Sequence, residues 1–274
     1  MSIIRAIRMA VVAACVLGAA SCSPQAQQSA RTSALEQIRA THTIVAGWAP
    51  YAPYAYIDPA TRQPNGFYIE LFERMASEAG LQVRWVETTW GNMVPDLETG
   101  RFQVMAAPTF RTIPRAMEVG FTRPIDRFGL SAMVRSNDQR FHTLADFRRP
   151  GIVLAVTQGE VGYEYATRHL PGAQLQTLDS GNIALALTNV VQGRADASIA
   201  DAWTIKQFVA AHPGAVRDVF ADEPFNQVGA GWFTRRDDVE LLTFLNTSID
   251  WLVSSGEVEA IAHKYEIGSR LVEQ

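Results

Sequence analysis

Cysteine is almost missing from this chain. There are two in 274 residues, Cys15 and Cys22, both close to the amino terminus. A mature domain that begins at Cys22 therefore has no disulfide, no thiol catalyst and no cysteine-built zinc or iron–sulfur site. Histidine does not fill the gap, because His42, His142, His169, His212 and His263 are scattered without metal-ligand spacing. No metal and no cofactor is expected. No Lys/Arg run follows the first residues and the formal net charge is -4, so the chain lacks the basic field that attracts nucleic acid. Within the domain no apolar run approaches transmembrane length, and there is no short-period repeat.

The composition, 47% hydrophobic and 19% charged, excludes a disordered chain and suffices for one large core or two ordinary ones. The amino terminus reads as a processing signal. Arg5 and Arg8 form a cationic start, Met9 to Ala20 is an apolar run too short to span a bilayer comfortably, and Ala19, Ala20 and Ser21 precede Cys22. This resembles a bacterial lipoprotein signal, in which the cysteine becomes the first mature residue and is acylated, although Ala19 stands where Leu is more usual. Residues 1–21 are thus expected to be a signal peptide and 22–42 a tether from a lipidated Cys22, its start being the polar SPQAQQSARTS. The alternative is ordinary cleavage and a soluble periplasmic domain.

Beyond Thr43 the hydrophobic pattern alternates between strand and helix. Thr43 to Gly47 is β-prone, WAPYAPYAYID after it is a proline-rich loop carrying Tyr51, and Pro64-Asn65-Gly66 is a turn. Phe67 to Ala79 has helical spacing, Val83 to Val86 is a strand, Met93 to Thr99 a short helix, and Phe102 to Ala107 a strand. After Gly129 to Val134, a β-prone segment, the pattern restarts. It predicts a short helix from Leu144, a strand at Ile152 to Val156, helices at Val161 to His169 and Ile183 to Val191, a strand at Ala197 to Ala200 and a helix at Ala202 to Ala211. Gly229 to Thr234 returns as a strand, and Val239 to Tyr265 holds two helices broken at Gly256. Such alternation implies parallel strands with helical crossovers. Two α/β runs joined near 130 and 228 imply two lobes, 43–130 with 229–274 and 131–228, and a cleft between them.

One stretch has the order expected of a small-ligand site. WGNMVPDLETGRFQVMAAPTFRTIPR, Trp90 to Arg115, runs from an aromatic through an uncharged strand to a turn holding Thr112 and Arg115. Ligands of open α/β sheets bind where such strands end. Each residue also has a plainer reading: Tyr51 and Trp90 as core aromatics, Arg115 as a surface turn cap, Asp201 as a helix N-cap, and Glu160 as a solvated loop acid.

In this order and spacing the segments IVAGWAPYAPYAY (44–56), NGFYIEL (65–71), Trp90 to Phe102, RTIPRAMEVGFTRP (111–124), GRADASIAD (193–201) and SSGEVEAIAHKY (254–265) resemble the bacterial extracellular solute-binding proteins of family 3. The resemblance implies a two-lobed α/β periplasmic-binding-protein fold of type II with a two-strand hinge. It implies a monomer that captures a small polar solute, an amino acid or related carboxylate, and delivers it to an ABC permease in the inner membrane. It also implies roles: Tyr51 and Trp90 flank the ligand, Thr112 and Arg115 grip an α-carboxylate, and Asp201 accepts from an α-ammonium. A guanidinium matches a carboxylate with two parallel donors. Gln158 and Glu160 join the candidate site as part of the second-lobe turn. There Glu160 departs from the family's Ser or Thr, and a carboxylate cannot hold another. Gln103, Glu70 and the run Pro108, Thr109, Phe110, Arg111 also depart, so ligand identity does not carry over. A second class is enzymatic, since some relatives on this fold look like cyclohexadienyl dehydratases and Glu160 is a candidate acid. A third is a sensor, which the lack of a kinase-like or other extension after Tyr265 disfavours.

Overall fold

The computed structural model describes residues 33–267, so the expected signal peptide and Cys22 lie outside the described residues. The described chain opens with a helix where a tether was expected: α1, Ala34–Thr41. Ser33 caps it by accepting from the Glu36 N–H at 3.2 Å, and Ile38, fully buried, packs into the core. Ser33 three residues before Glu36 is a helix-start signal, which the polar flank before it obscured.

The first α/β run comprises β1 (Thr43–Trp48), the two-residue strands β2 (Tyr56–Ile57) and β3 (Pro64–Asn65), α2 (Phe67–Glu78), β4 (Gln82–Glu87), α3 (Met93–Glu98) and β5 (Val104–Phe110). Pro64 and Asn65 pair with β2 rather than forming the whole of a turn. Next come α4 (Ile113–Glu118), β6 (Val119–Phe121) and the long β7 (Asp126–Arg135). After a 3-10 turn at Leu144–Arg148, the second run holds β8 (Val153–Thr157), α5 (Val161–His169), β9 (Gln174–Leu178), α6 (Ala184–Val191), β10 (Ala197–Asp201), α7 (Ala202–Ala211) and β11 (Val216–Asp218). The chain returns through β12 (Phe225–Arg235) to α8 (Val239–Ser254) and α9 (Glu257–Lys264). Several elements had no clear sequence signal, β9 and α4 among them. The exposed alternation of Gln174–Leu178 suits an edge strand, and Ile113–Glu118 is too short to show helical periodicity.

The strand order is β4-β1-β5-β12-β7-β10-β8-β9. β2 and β3 form a separate two-stranded sheet; of the other strands in each run, the first (β1, β8) is central, the second (β4, β9) lies outside it and the third (β5, β10) inside it, and these three are parallel. The long antiparallel strands β7 and β12 connect the two runs. β7 pairs with β12 through its first half and with β10 through its second, and β12 pairs on with β5. Thus the fold is α/β with two lobes and a two-strand hinge. Aromatic packing secures the first lobe, where Phe72 meets the fully buried Trp232 edge to face at 5.0 Å between ring centres. Burying a large apolar side chain of this kind contributes about 2 kcal/mol. Two departures from the family pattern are structural. Gln103 accepts from the Val45 N–H at 2.8 Å, and Glu70 accepts from Lys264 Nζ at 2.7 Å and the Tyr265 hydroxyl at 2.8 Å.

Candidate functional site

The strand order reverses direction beside β1 in one lobe and beside β8 in the other, and the carboxyl ends of parallel strands at such points leave a crevice. The residues that follow those ends meet in one small cavity. The first lobe supplies Tyr51 after β1, Trp90 after β4, and Pro108, Phe110 and Arg115 at and beyond the end of β5; the second supplies Glu160 and Val161 after β8, Ile183 after β9, and Asp201 ending β10. The space left for the centre of a water-sized sphere is about 10 Å³, room for roughly one water. The lobes are closed on each other.

Closure is held by polar contacts that cross the cleft. Arg115, 5% exposed, donates from Nε to Glu164 Oε1 at 2.5 Å, from Nη2 to the Gly159 carbonyl at 2.7 Å and, within its own lobe, from Nη1 to the Phe110 carbonyl at 3.3 Å. Thr112 caps α4 by accepting from the Arg115 N–H, and its hydroxyl donates to Glu164 Oε2 at 3.1 Å. On the other side the Tyr51 hydroxyl donates to Asp201 Oδ1 at 2.5 Å, and the same oxygen accepts from the Thr204 N–H at 2.8 Å. Asp201 therefore caps α7 and lines the cavity at once. Tyr51 and Trp90 are buried and meet each other edge to face, 6.1 Å apart. The buried Trp90 Nε1–H has no acceptor among the described residues, so a ligand acceptor would satisfy it.

Glu160 corrects the expectation of a solvated loop acid. It is 4% exposed, caps α5 by accepting from the Gly162 N–H at 2.6 Å, and burial together with the neighbouring Asp201 pushes its pKa up to about 8. Gly162 and Arg115 pull it the other way. In the unfolded chain the value is near 4.5. The fold therefore prefers the proton. The stability tied to this group is present below about pH 4.5 and is lost as pH rises towards about 8, by about 1.4 kcal/mol per pH unit at most. Glu160→Gln is expected to remove that slope, measured as urea midpoints of both proteins between pH 5 and pH 8.

Two expected residues stand outside the cavity lining. Gln158 is exposed, its Cγ facing Gly91 across the cleft. Thr112 borders an adjoining groove with Glu164 and Arg168. Glu164 is a cleft residue that the sequence does not single out. Its only sequence signal is its position four residues after Glu160, the N-cap of α5, one helical turn on; its partner Arg115 is 49 residues away.

Comparison with known proteins agrees with this geometry. The chain is 28% identical over 240 residues to a probable histidine-binding protein of Campylobacter jejuni, an alignment covering 86% of this chain and 89% of that one. It is 26% identical to the cyclohexadienyl dehydratase of Pseudomonas aeruginosa, covering 82% of each. Among solved structures, an ancestral amino acid-binding protein, a precursor of cyclohexadienyl dehydratase, superposes with a TM-score of 0.73 at 29% identity, over 85% of this chain and 99% of that one. Residues 44–268 match the family described as bacterial extracellular solute-binding proteins, family 3. With its two lobes, two-strand hinge and a cavity at the strand ends, the chain belongs to that family of solute-binding proteins.

Proposed function

We propose that this protein captures a small polar solute of amino-acid size by closing its lobes around it, and delivers it to the permease of an ABC importer. The observation that carries this reading is the set of side chains from both lobes that meet at the strand ends; the space between them holds about one water, so a solute of this size enters as the lobes part. Aromatic rings, a buried arginine and two buried acids from both lobes converge at strand ends, and contacts that cross the cleft join the lobes only when it is shut. Binding across two lobes favours the closed form by the difference in contacts between the two states. The moving bodies are residues 43–130 with 229–274 and residues 131–228. The protein acts as a monomer in the periplasm or on the cell surface, tethered to a membrane through an acylated Cys22. Among the described residues no helix is long and apolar enough to cross a membrane.

A second reading rests on Glu160. A buried carboxylic acid that keeps its proton near neutral pH is equipped to protonate a leaving hydroxyl, and a dehydratase lies among the relatives. One experiment addresses both readings. In a thermal-shift screen of amino acids, small dicarboxylates and amines, a true ligand at a hundred times its Kd is expected to raise Tm by about 5–10 °C. Mass spectrometry should recover it unchanged. Conversion of the bound compound on incubation would establish the enzymatic reading instead, and silence across the screen would remove solute capture.

A further inference from the structure

Arg115 is the one cationic residue in the cavity lining, and all three of its guanidinium nitrogens already donate to protein oxygens. Its charge is met by Glu164, which reaches across the cleft from α5 and takes Arg115 Nε on one oxygen and the Thr112 hydroxyl on the other. A carboxylate held by a guanidinium and a hydroxyl is the arrangement an anionic ligand group would need. Here the chain's own side chain supplies it. The other charged groups of the lining are acids, Glu160 and Asp201, and both are buried. Three aromatic rings, Tyr51, Trp90 and Phe110, complete the walls, and ring faces attract cations.

We infer that the cleft selects a cation without a free carboxylate, an organic amine, amidine or guanidine, and that Glu164 excludes the carboxylated counterpart by taking Arg115 Nε while the Gly159 carbonyl holds Nη2. This inference rests on the solute-capture reading above and narrows its ligand class. A carboxylated ligand would have to displace Glu164 from Arg115 or add a further anion to a site that already holds Glu164 and Asp201 around a single guanidinium. A carboxylate-free cation leaves the Arg115–Glu164 pair intact. Glu160, faced by Asp201 from β10, Arg115 from α4 and Glu164 from its own helix, gives up its proton as the cation arrives and so supplies the second negative charge.

The test compares matched pairs differing only in the carboxylate: agmatine with arginine, cadaverine with lysine, histamine with histidine. With the wild-type protein, calorimetry is expected to show the amine of at least one pair binding about thirtyfold or more tighter than its amino acid, the scale of one disrupted buried charge contact. Glu164→Ala, at a side chain 21% exposed and so tolerant of change, removes the carboxylate from Arg115 Nε and is expected to shift the preference towards the amino acid. Wild-type protein that binds each amino acid as well as or better than its amine overturns the inference while leaving solute capture intact. If none of the six compounds binds, the inference falls, and solute capture falls with it only where the wider screen is also silent.

Discussion

Arg115→Ala is expected to leave both lobes folded and to open the cleft. The side chain is buried, yet two of its three hydrogen bonds run to the opposite lobe, to Glu164 and to the Gly159 carbonyl. Removing one partner of a buried charge pair costs about 3 kcal/mol when the other stays buried. Glu164, 21% exposed, has an escape, because it rehydrates as the lobes part. The loss therefore falls on the closed form, whose ratio to the open form should drop about a hundredfold. Small-angle X-ray scattering should show a larger radius of gyration than the wild type, with unchanged far-UV circular dichroism. Ligand-induced stabilisation should shrink correspondingly, because closure is what ligand binding draws on. A variant as compact as the wild type that keeps its ligand response would show that Arg115 plays no part in holding the lobes together.

Gly159→Ala should block closure by a different route. Gly159 has φ +76° in the turn after β8, and a Cβ there would lie 2.4 Å from the Trp90 carbonyl oxygen, 2.5 Å from its carbon and 2.6 Å from Gly91 Cα. These are backbone atoms of the opposite lobe, which no side-chain rotation relieves. The left-handed conformation costs alanine about 1–2 kcal/mol within the second lobe, and the clash has to be avoided by keeping the lobes apart. We expect ligand affinity to fall at least about a hundredfold, the consequence of penalising the bound state by about 3 kcal/mol or more, while thermal stability without ligand drops modestly. Gly193→Ala is the control, since Gly193 has φ +71° but nothing within 4 Å of its Cβ position. It should show the modest drop in stability and normal binding. Equal loss of binding in both variants would assign the effect to backbone strain rather than to the cleft contact.

The parts of the fold that were legible before the structure are those with local causes. Val161–His169 and Ala202–Ala211 are helices over the same residues that the apolar spacing predicts, because amphipathic periodicity and start signals lie within a few residues of each other. The resemblance also placed Tyr51, Trp90, Arg115 and Asp201 at the site, and the folded chain brings all four to one cavity. Local pattern failed where the deciding partner is distant. The helix Ala34–Thr41 packs on the returning chain, its Ala34 N–H donating to Asp238 Oδ1 at 3.1 Å across 204 residues. Residues just before the expected domain therefore looked like tether.

The sequence by itself determined the alternation of strands and helices, the two-lobed class, the family, and the residue types that would meet where the strands end. Only the tertiary structure decided how those residues are paired. Glu160 changes from a solvated acid into a buried one because Ile183 and Asp201 arrive from other strands of its lobe and Arg115 from the other lobe. Glu164 becomes the carboxylate on Arg115 because closing the lobes brings α5 against α4. Spacing along a helix settles which side chains share a face. What stands opposite that face depends on contacts many residues away, and in this protein those contacts set the charge of the cavity.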